Sequence, residues 1–163
     1  LAIYRKYPLS ELIVHPRIQK EFYKGVPHRD AWAAVSGPWP AVYNGDILTP
    51  EDAAALCRDF PGTDAVMLGR GLMRDPALLR RLQGGPAASA QELRTYHDRL
   101  LEAYRQRLSG DQPVMHRMWE LWAYLSAGFT QSEPYLKRMR KAKNLSEYRS
   151  AVDALFREQR YTI

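Results

Sequence analysis

Two short segments of this chain have residue types and spacing suited to holding an anion. Val42-Tyr43-Asn44-Gly45-Asp46-Ile47 and Val66-Met67-Leu68-Gly69-Arg70-Gly71 are each an apolar run that ends in glycine beside a polar or charged residue. Glycine lets the backbone approach a phosphate closely, and N–H groups left unpaired where a helix opens point at it. Arg70 adds a fixed cation with several donors. Asn44-Gly45-Asp46 taken alone is most often a turn; the second glycine loop after the next apolar run is what points to phosphate. A third run, Leu12-Ile13-Val14, ends at His15-Pro16-Arg17 and places an imidazole and a guanidinium at its end. His15 taken alone reads as a polar cap as readily as a functional group. Far downstream, Lys137, Arg138, Arg140, Lys141 and Lys143 follow one another with no acid between them. Such a run is usually a solvated helix face. Its like charges at i,i+4 repel, and a polyanion such as RNA would relieve that repulsion and release counterions.

The elements that must position these residues change character along the chain. Over residues 1–84, strands and helices alternate. Leu12 to Val14 reads as a strand, Asp30 to Val35 as a short helix with Asp30 as N-cap and Gly37-Pro38 as its break, and Pro40 to Tyr43 as the next strand. Thr49-Pro50-Glu51-Asp52 is a helix start: Thr49 at N-cap, Pro50 at N1, acids in the first turn. That helix carries Ala53, Ala54, Leu56 and Cys57 and ends near Pro61-Gly62. Ala65 to Leu68 is the third strand, and Asp75-Pro76 starts a helix that runs to Gly84. Alternation of this kind implies parallel strands with crossover helices. In a (β/α)8 barrel, the loops after the last two strands are where phosphate groups bind.

Over residues 89–163 no strand pattern appears. Leu93, Tyr96, Leu100, Leu101, Tyr104 and Leu108 form a helical stripe. Val114, Met118, Trp119, Trp122 and Leu125 form a second. A third stretch holds Tyr135, Leu136 and Met139, and a fourth, capped by Ser146, holds Tyr148, Val152, Leu155 and Phe156. Met118, Trp119 and Trp122 read as bundle core rather than as a base-stacking platform. The expected organisation is α/β followed by all-α. Residues 1–84 are three parallel strands with helices, the C-terminal part of a (β/α)8 barrel, and residues 89–163 are a small helical bundle. The Gly84-Gly85-Pro86 run is the expected boundary.

Composition narrows the classes further. The formal net charge is +6, and the excess leans toward the C-terminal half, which suits nucleic acid without requiring it. Cys57 is the only cysteine, so no intrachain disulfide forms, and a reducing, cytoplasmic setting is expected. No apolar run approaches the length of a membrane span, and Arg5, Lys6 and Glu11 interrupt any signal-peptide core. No metal-ligand spacing is present. The chain lacks an initiator methionine and opens in what reads as a helix end, so it is expected to begin inside a larger protein.

In this order the segments resemble the C-terminal portion of the tRNA-dihydrouridine synthases. The match rests on Leu12-Ile13-Val14-His15-Pro16-Arg17, on Gln19, Tyr23 and Gly25, on Tyr43-Asn44-Gly45-Asp46-Ile47, and on Asp64-Ala65-Val66-Met67-Leu68-Gly69-Arg70-Gly71. The resemblance implies an FMN-binding (β/α)8 barrel followed by a helical tRNA-binding domain, with these segments as the ends of strands six to eight. It implies NADPH as reductant. His15 is similar to the family histidine that lies against flavin and uracil. Asn44, Gly45 and Asp46 resemble one cofactor loop, and Gly69-Arg70 its partner. Arg17 is similar to the family arginine near the substrate pocket. The resemblance assigns tRNA contact to Lys137, Arg138, Arg140, Lys141 and Lys143. Pro16 stands where many members have glycine, so that turn is expected to differ. The family's proton-donating cysteine and its strand-five lysine have no counterpart here, and Cys57 on an outer helix does not replace the first. The isolated chain is therefore expected to be inactive. Its partners are expected to be tRNA and either the N-terminal half of the barrel or a second copy bound through the exposed sheet. The alternative reading is a catalytically inert RNA-binding module.

Overall fold

The computed structural model describes residues 1–163 except Tyr23, Ser36 and Gly37. The expectations placed on Tyr23 and on the Gly37 helix break lie outside the described residues. The chain divides into two compact units, Leu1–Gly71 and Leu72–Ile163.

The first unit is a parallel sheet with helices. β1 (Leu12–Val14), β2 (Ala41–Tyr43) and β3 (Ala65–Val66) lie in the order β1-β2-β3. The register sets Val14 beside Tyr43 and Tyr43 beside Val66, so all three strands end level. The ladder continues past the strand ends: Asn44 N–H donates to the Val14 carbonyl at 2.9 Å, and Met67 N–H to the Tyr43 carbonyl at 2.8 Å. β3 is shorter than the apolar run Ala65 to Leu68.

α1 (Arg29–Ala33) begins after His28, so Asp30 is a first-turn acid and not the cap; no side chain caps this helix. α2 (Pro50–Asp59) starts as its sequence dictates. Thr49 accepts from Asp52 N–H, and the Asp52 carboxylate accepts from Thr49 N–H, a reciprocal capping box with Pro50 at N1. Ala53 and Leu56 of α2 are buried, whereas Ala54 and Cys57 face outward.

Strand side chains alternate between faces. One face carries Leu12, Val14, Tyr43 and Val66. Tyr43 is wholly buried there, edge-on against Trp32 of α1 at 5.3 Å. The opposite face carries Ile13, Val42 and Met67, and Ile13 and Met67 are 46% and 45% exposed. β1 and β3 each pair only with β2 among the described residues, so both edges are open as well. Apolar surface gains roughly 25 cal/mol per Å² on burial, and open edges invite pairing. The purified chain is expected to self-associate at high micromolar concentration, with light scattering reading a mass above that of the monomer. A strict monomer would show that the open face does not drive association.

The second unit is all-helical apart from one bridge between Phe129 and Tyr161. α3 (Arg70–Arg74) spans the division between the units and α4 (Leu78–Leu82) follows. Asp75-Pro76 therefore separates two short helices instead of opening one long one. Asp75 is fully buried there; its carboxylate accepts from Ala77 N–H at 2.9 Å and from Arg81 at 2.8 Å.

α5 (Ala90–Arg107) opens with a capping box of Ser89 and Glu92, α6 (Asp111–Leu125) follows Gly110, and α7 is Glu133–Lys141. α8 (Leu145–Glu158) is capped by Asn144, whose carbonyl accepts from Glu147 N–H, and not by Ser146. Asn and Ser cap about equally well, and Asn144 stands directly ahead of Leu145, the first helical residue. Leu93, Leu101, Met118, Trp122, Leu125, Met139, Tyr148, Val152 and Leu155 make the core of this unit.

His97 sits inside that core with no exposure. Trp122 donates its indole N–H to the Tyr148 hydroxyl at 2.7 Å, so the single hydroxyl proton is left for His97 Nε2, 2.8 Å away. His97 Nδ1 must then carry the ring proton and donate it to Asp98 at 2.8 Å. Burial holds the His97 pKa below its ordinary value, against the pull of Asp98. Burial also pushes Asp98 up, but hydrogen bonds from His97 and Arg94 outweigh it and the net shift is downward.

Below about pH 6.5 an unfolded histidine takes up a proton that folded His97 resists. Stability is thus full above that pH and falls as the pH drops through it. The urea midpoint is expected to decline between about pH 7 and 5. His97→Phe is expected to flatten that segment, and an unchanged slope in this variant would remove His97 as its source.

Candidate functional site

The level strand ends bring the sequence-singled residues of the first unit to one place. His15, Asn44, Gly45, Asp46, Met67, Gly69 and Arg70 line a cleft of about 250 Å3 at the C-terminal ends of the strands. That is room for a phosphate-sized group and less than the usual pocket for a drug-sized ligand.

His15 Nδ1 bonds the Asn44 carbonyl. A carbonyl only accepts, so Nδ1 holds a proton and donates it. Gly45 has a packing reason to be glycine: a Cβ there would overlap the Tyr43 ring. That ring packs against Trp32 of α1, and its hydroxyl is buried without a hydrogen-bond partner among the described residues. Burial pushes the Tyr43 pKa up; Arg29 is near enough to oppose this, though outside hydrogen-bond geometry. At Gly69 the situation is reversed, for a Cβ would meet nothing within 4 Å. Among the described residues Gly69 therefore meets no internal steric demand, which fits a position open to something that approaches the backbone.

Arg17 does not line the cleft. Its side chain is 2% exposed and donates to the Lys24 carbonyl at 2.9 Å, the Gly25 carbonyl at 3.0 Å and Asp46 at 2.5 Å. Gly25 offers its carbonyl from a left-handed conformation, φ 79°, that favours glycine. Arg70 pairs with the other Asp46 oxygen. Asp46, which sequence reasoning placed with the cofactor loop, thus bridges two arginines. Its spacing from Arg17 and Arg70 gave no sign of that.

The second unit carries the basic cluster. Tyr135, Leu136 and Met139 bury one side of α7, and Lys137, Arg138, Arg140 and Lys141 are exposed, with Lys143 just beyond the helix. At about 100° per residue, Lys137, Arg140 and Lys141 share one arc of roughly 100°. None of the five cations has an ion pair among the described residues. Elsewhere in this unit Arg80, Arg81, Arg94, Arg105, Arg117 and Arg157 pair with carboxylates, whereas Arg74, Arg99, Arg107, Arg149 and Arg160 are, like the α7 cations, without an ion pair among the described residues. The helix dipole favours cations in the last turn but does not remove their acids.

Trp119 corrects the sequence reading. It is half-buried at the edge of the α6 stripe, and the Arg140 guanidinium lies over its ring at 4.4 Å. Its position flanking Met118 and Trp122, rather than between them, was the available signal. His97 was missed in the same way, as a polar residue at the core spacing of Leu93 and Leu101. Among the described residues no cluster suited to a metal ion is present and no helix is long and apolar enough to cross a membrane.

The described residues thus form an α/β unit with glycine loops around a cleft at the ends of its parallel strands, followed in sequence by a helical unit with an exposed basic face. The family model described as dihydrouridine synthase matches residues 8–160, and the chain belongs to that family. It is 31% identical over 155 residues to a tRNA-dihydrouridine(16) synthase of Salmonella typhimurium (strain LT2), covering 90% of this chain and 47% of the relative. A tRNA-dihydrouridine(16) synthase of Shewanella oneidensis is 28% identical over 156 residues, with 90% and 47% covered. One of Ralstonia nicotianae is 38% identical over 77 residues, 46% of this chain and 23% of the relative. The chain spans about half the length of the first two of these relatives.

Proposed function

We propose that this chain is the last three βα units of an FMN-binding (β/α)8 barrel, residues 1–84, together with a helical tRNA-binding module, residues 89–163. The whole enzyme reduces uridine to dihydrouridine in tRNA at the expense of NADPH. The observation that carries this reading is the convergence of His15, Asn44, Gly45, Gly69 and Arg70 on one cleft in a chain of this family.

The donor set suits the phosphate end of FMN: a guanidinium, a bare backbone position at Gly69 and a loop that must stay glycine at Gly45. When bound, the flavin supplies the hydride that reduces the uracil. The chain's own residues bind and orient. His15, fixed by the Asn44 carbonyl, lines the cleft, and the α7 cations hold the RNA backbone while the base is extruded.

The isolated chain is expected to bind FMN weakly, by its phosphate, and to oxidise no NADPH with unmodified tRNA and FMN supplied. Turnover of about 1 per second or faster, typical of enzymes, would overturn the assignment of the proton donor to another part of the protein. The open face at Ile13 and Met67 favours one second reading, an inert RNA-binding module. tRNA binding with no difference between FMN and riboflavin in a titration would select it.

A further inference from the structure

Among the described residues that line the cleft, Asp46 is the one acid. An acid in an anion site opposes the anion unless it does something else. Here each carboxylate oxygen has its own guanidinium: Oδ2 accepts from Arg17 and Oδ1 from Arg70. Arg17 is almost wholly buried and is tied to the Lys24 and Gly25 carbonyls, so it cannot swing away. A buried guanidinium also keeps its carboxylate, because an unpaired buried charge is costly. Asp46 thus joins an almost wholly buried arginine to a partly exposed one. The loops after β1, β2 and β3 meet on this single side chain. The two guanidiniums and the carboxylate together carry one net positive charge.

We propose that Asp46 is a positioning residue for a phosphate monoester: it transmits the fixed placement of Arg17 to Arg70 and sets the Arg70 fork in the orientation that receives the phosphate. This rests on the phosphate reading of the cleft given above. The competing role is a plain counter-ion that occupies the place of the anion. The two roles differ in sign. Removing a counter-ion strengthens anion binding, whereas removing a positioning group weakens it even though the site becomes more positive.

The test is a titration of the protein with FMN, with riboflavin, and with inorganic phosphate as competitor, followed by flavin fluorescence. Asp46→Asn is nearly isosteric and is expected to weaken FMN about tenfold, the equivalent of roughly 1.4 kcal/mol. Riboflavin, which has no phosphate, is expected to be unaffected. Asp46→Glu keeps the charge but moves it outward, and is expected to weaken FMN as well; unchanged affinity in this variant would overturn positioning. It also serves where Asp46→Asn lowers the melting temperature too far for titration.

The double variant Asp46→Asn with Arg70→Ala separates the two ways of failing. If Arg70→Ala alone leaves FMN affinity unchanged, the phosphate reading of the cleft is wrong. If Arg70→Ala weakens FMN but Asp46→Asn strengthens it, or adds its full effect on top of Arg70→Ala, the positioning role is wrong. The expected result is that Asp46→Asn has no further effect once Arg70 is gone.

Discussion

Reversing the charge of Lys137, Arg140 and Lys141 together is expected to lower tRNA affinity at least about a hundredfold at 0.1 M salt, where the Debye length is roughly 10 Å. These three share one exposed arc of α7 and have no carboxylate partner among the described residues. Cations left unneutralised by the protein are the ones that gain most from phosphate contacts, since each contact releases condensed counterions. Losing three contacts is expected to reduce the log–log salt slope by roughly 2 to 3. The loss should depend little on RNA sequence, because side chains on an exposed helix reach the backbone more readily than base edges in the deep groove of A-form RNA. Arg117→Glu is the control: Arg117 is exposed too but already pairs with Glu120 at 2.9 Å, and its reversal should change little. Binding by the triple variant equal to that of the unaltered chain would make the arc a solvated face and place the RNA contact elsewhere. Arg140 adds a second readout, for its guanidinium stacks on Trp119 and its reversal should change the indole fluorescence.

How much of this was legible beforehand follows from which interactions are local. The α2 start could be read from Thr49-Pro50-Glu51-Asp52 because a capping box is closed within four residues. The three strands and their parallel order followed from apolar runs separated by helix-length stretches. What failed was set by geometry at long sequence range or by competition between neighbouring candidates. Asn144 displaced Ser146 as the α8 cap, and His28 rather than Asp30 precedes α1; both were choices among several polar residues within one turn.

Sequence periodicity put Trp119 at the margin of the α6 stripe without fixing how deeply it is enclosed. Trp119 and Trp122 are three residues apart on the same helix, yet only Trp122 is enclosed, because burial depends on what α7 and α8 bring opposite. Which face a strand residue takes is decided the same way: Val42 lies on the opposite face from Val14 and Val66, which only the register sets. The candidate site was legible as loops but not as a network. That His15, Asn44 and Arg70 are neighbours follows from the level strand ends. That Asp46 joins two arginines 29 and 24 residues away does not follow from any pattern in the chain.

The two cleft glycines are expected to behave differently when each is replaced by alanine. At Gly45 the new methyl would run into the Tyr43 ring. The ring cannot yield cheaply, since Tyr43 is wholly buried and edge-on to Trp32 at 5.3 Å. Overpacking of this kind costs about 1–3 kcal/mol, and the part of it relieved by movement is relieved by shifting the loop that carries Asn44 and Asp46. Gly45→Ala is therefore expected both to lower the melting temperature and to weaken FMN more than tenfold. Gly69→Ala meets open space and has no left-handed backbone to strain. It should melt like the unaltered protein and still lose FMN affinity, because the methyl stands where a phosphate would approach the backbone. Calorimetric melting and an FMN titration on both variants give four numbers, and the pattern matters more than any one of them. Normal melting with normal FMN binding in Gly45→Ala would show that the Tyr43 ring does not set the loop. Normal FMN binding in Gly69→Ala would take Gly69 out of the site, whatever Gly45 does.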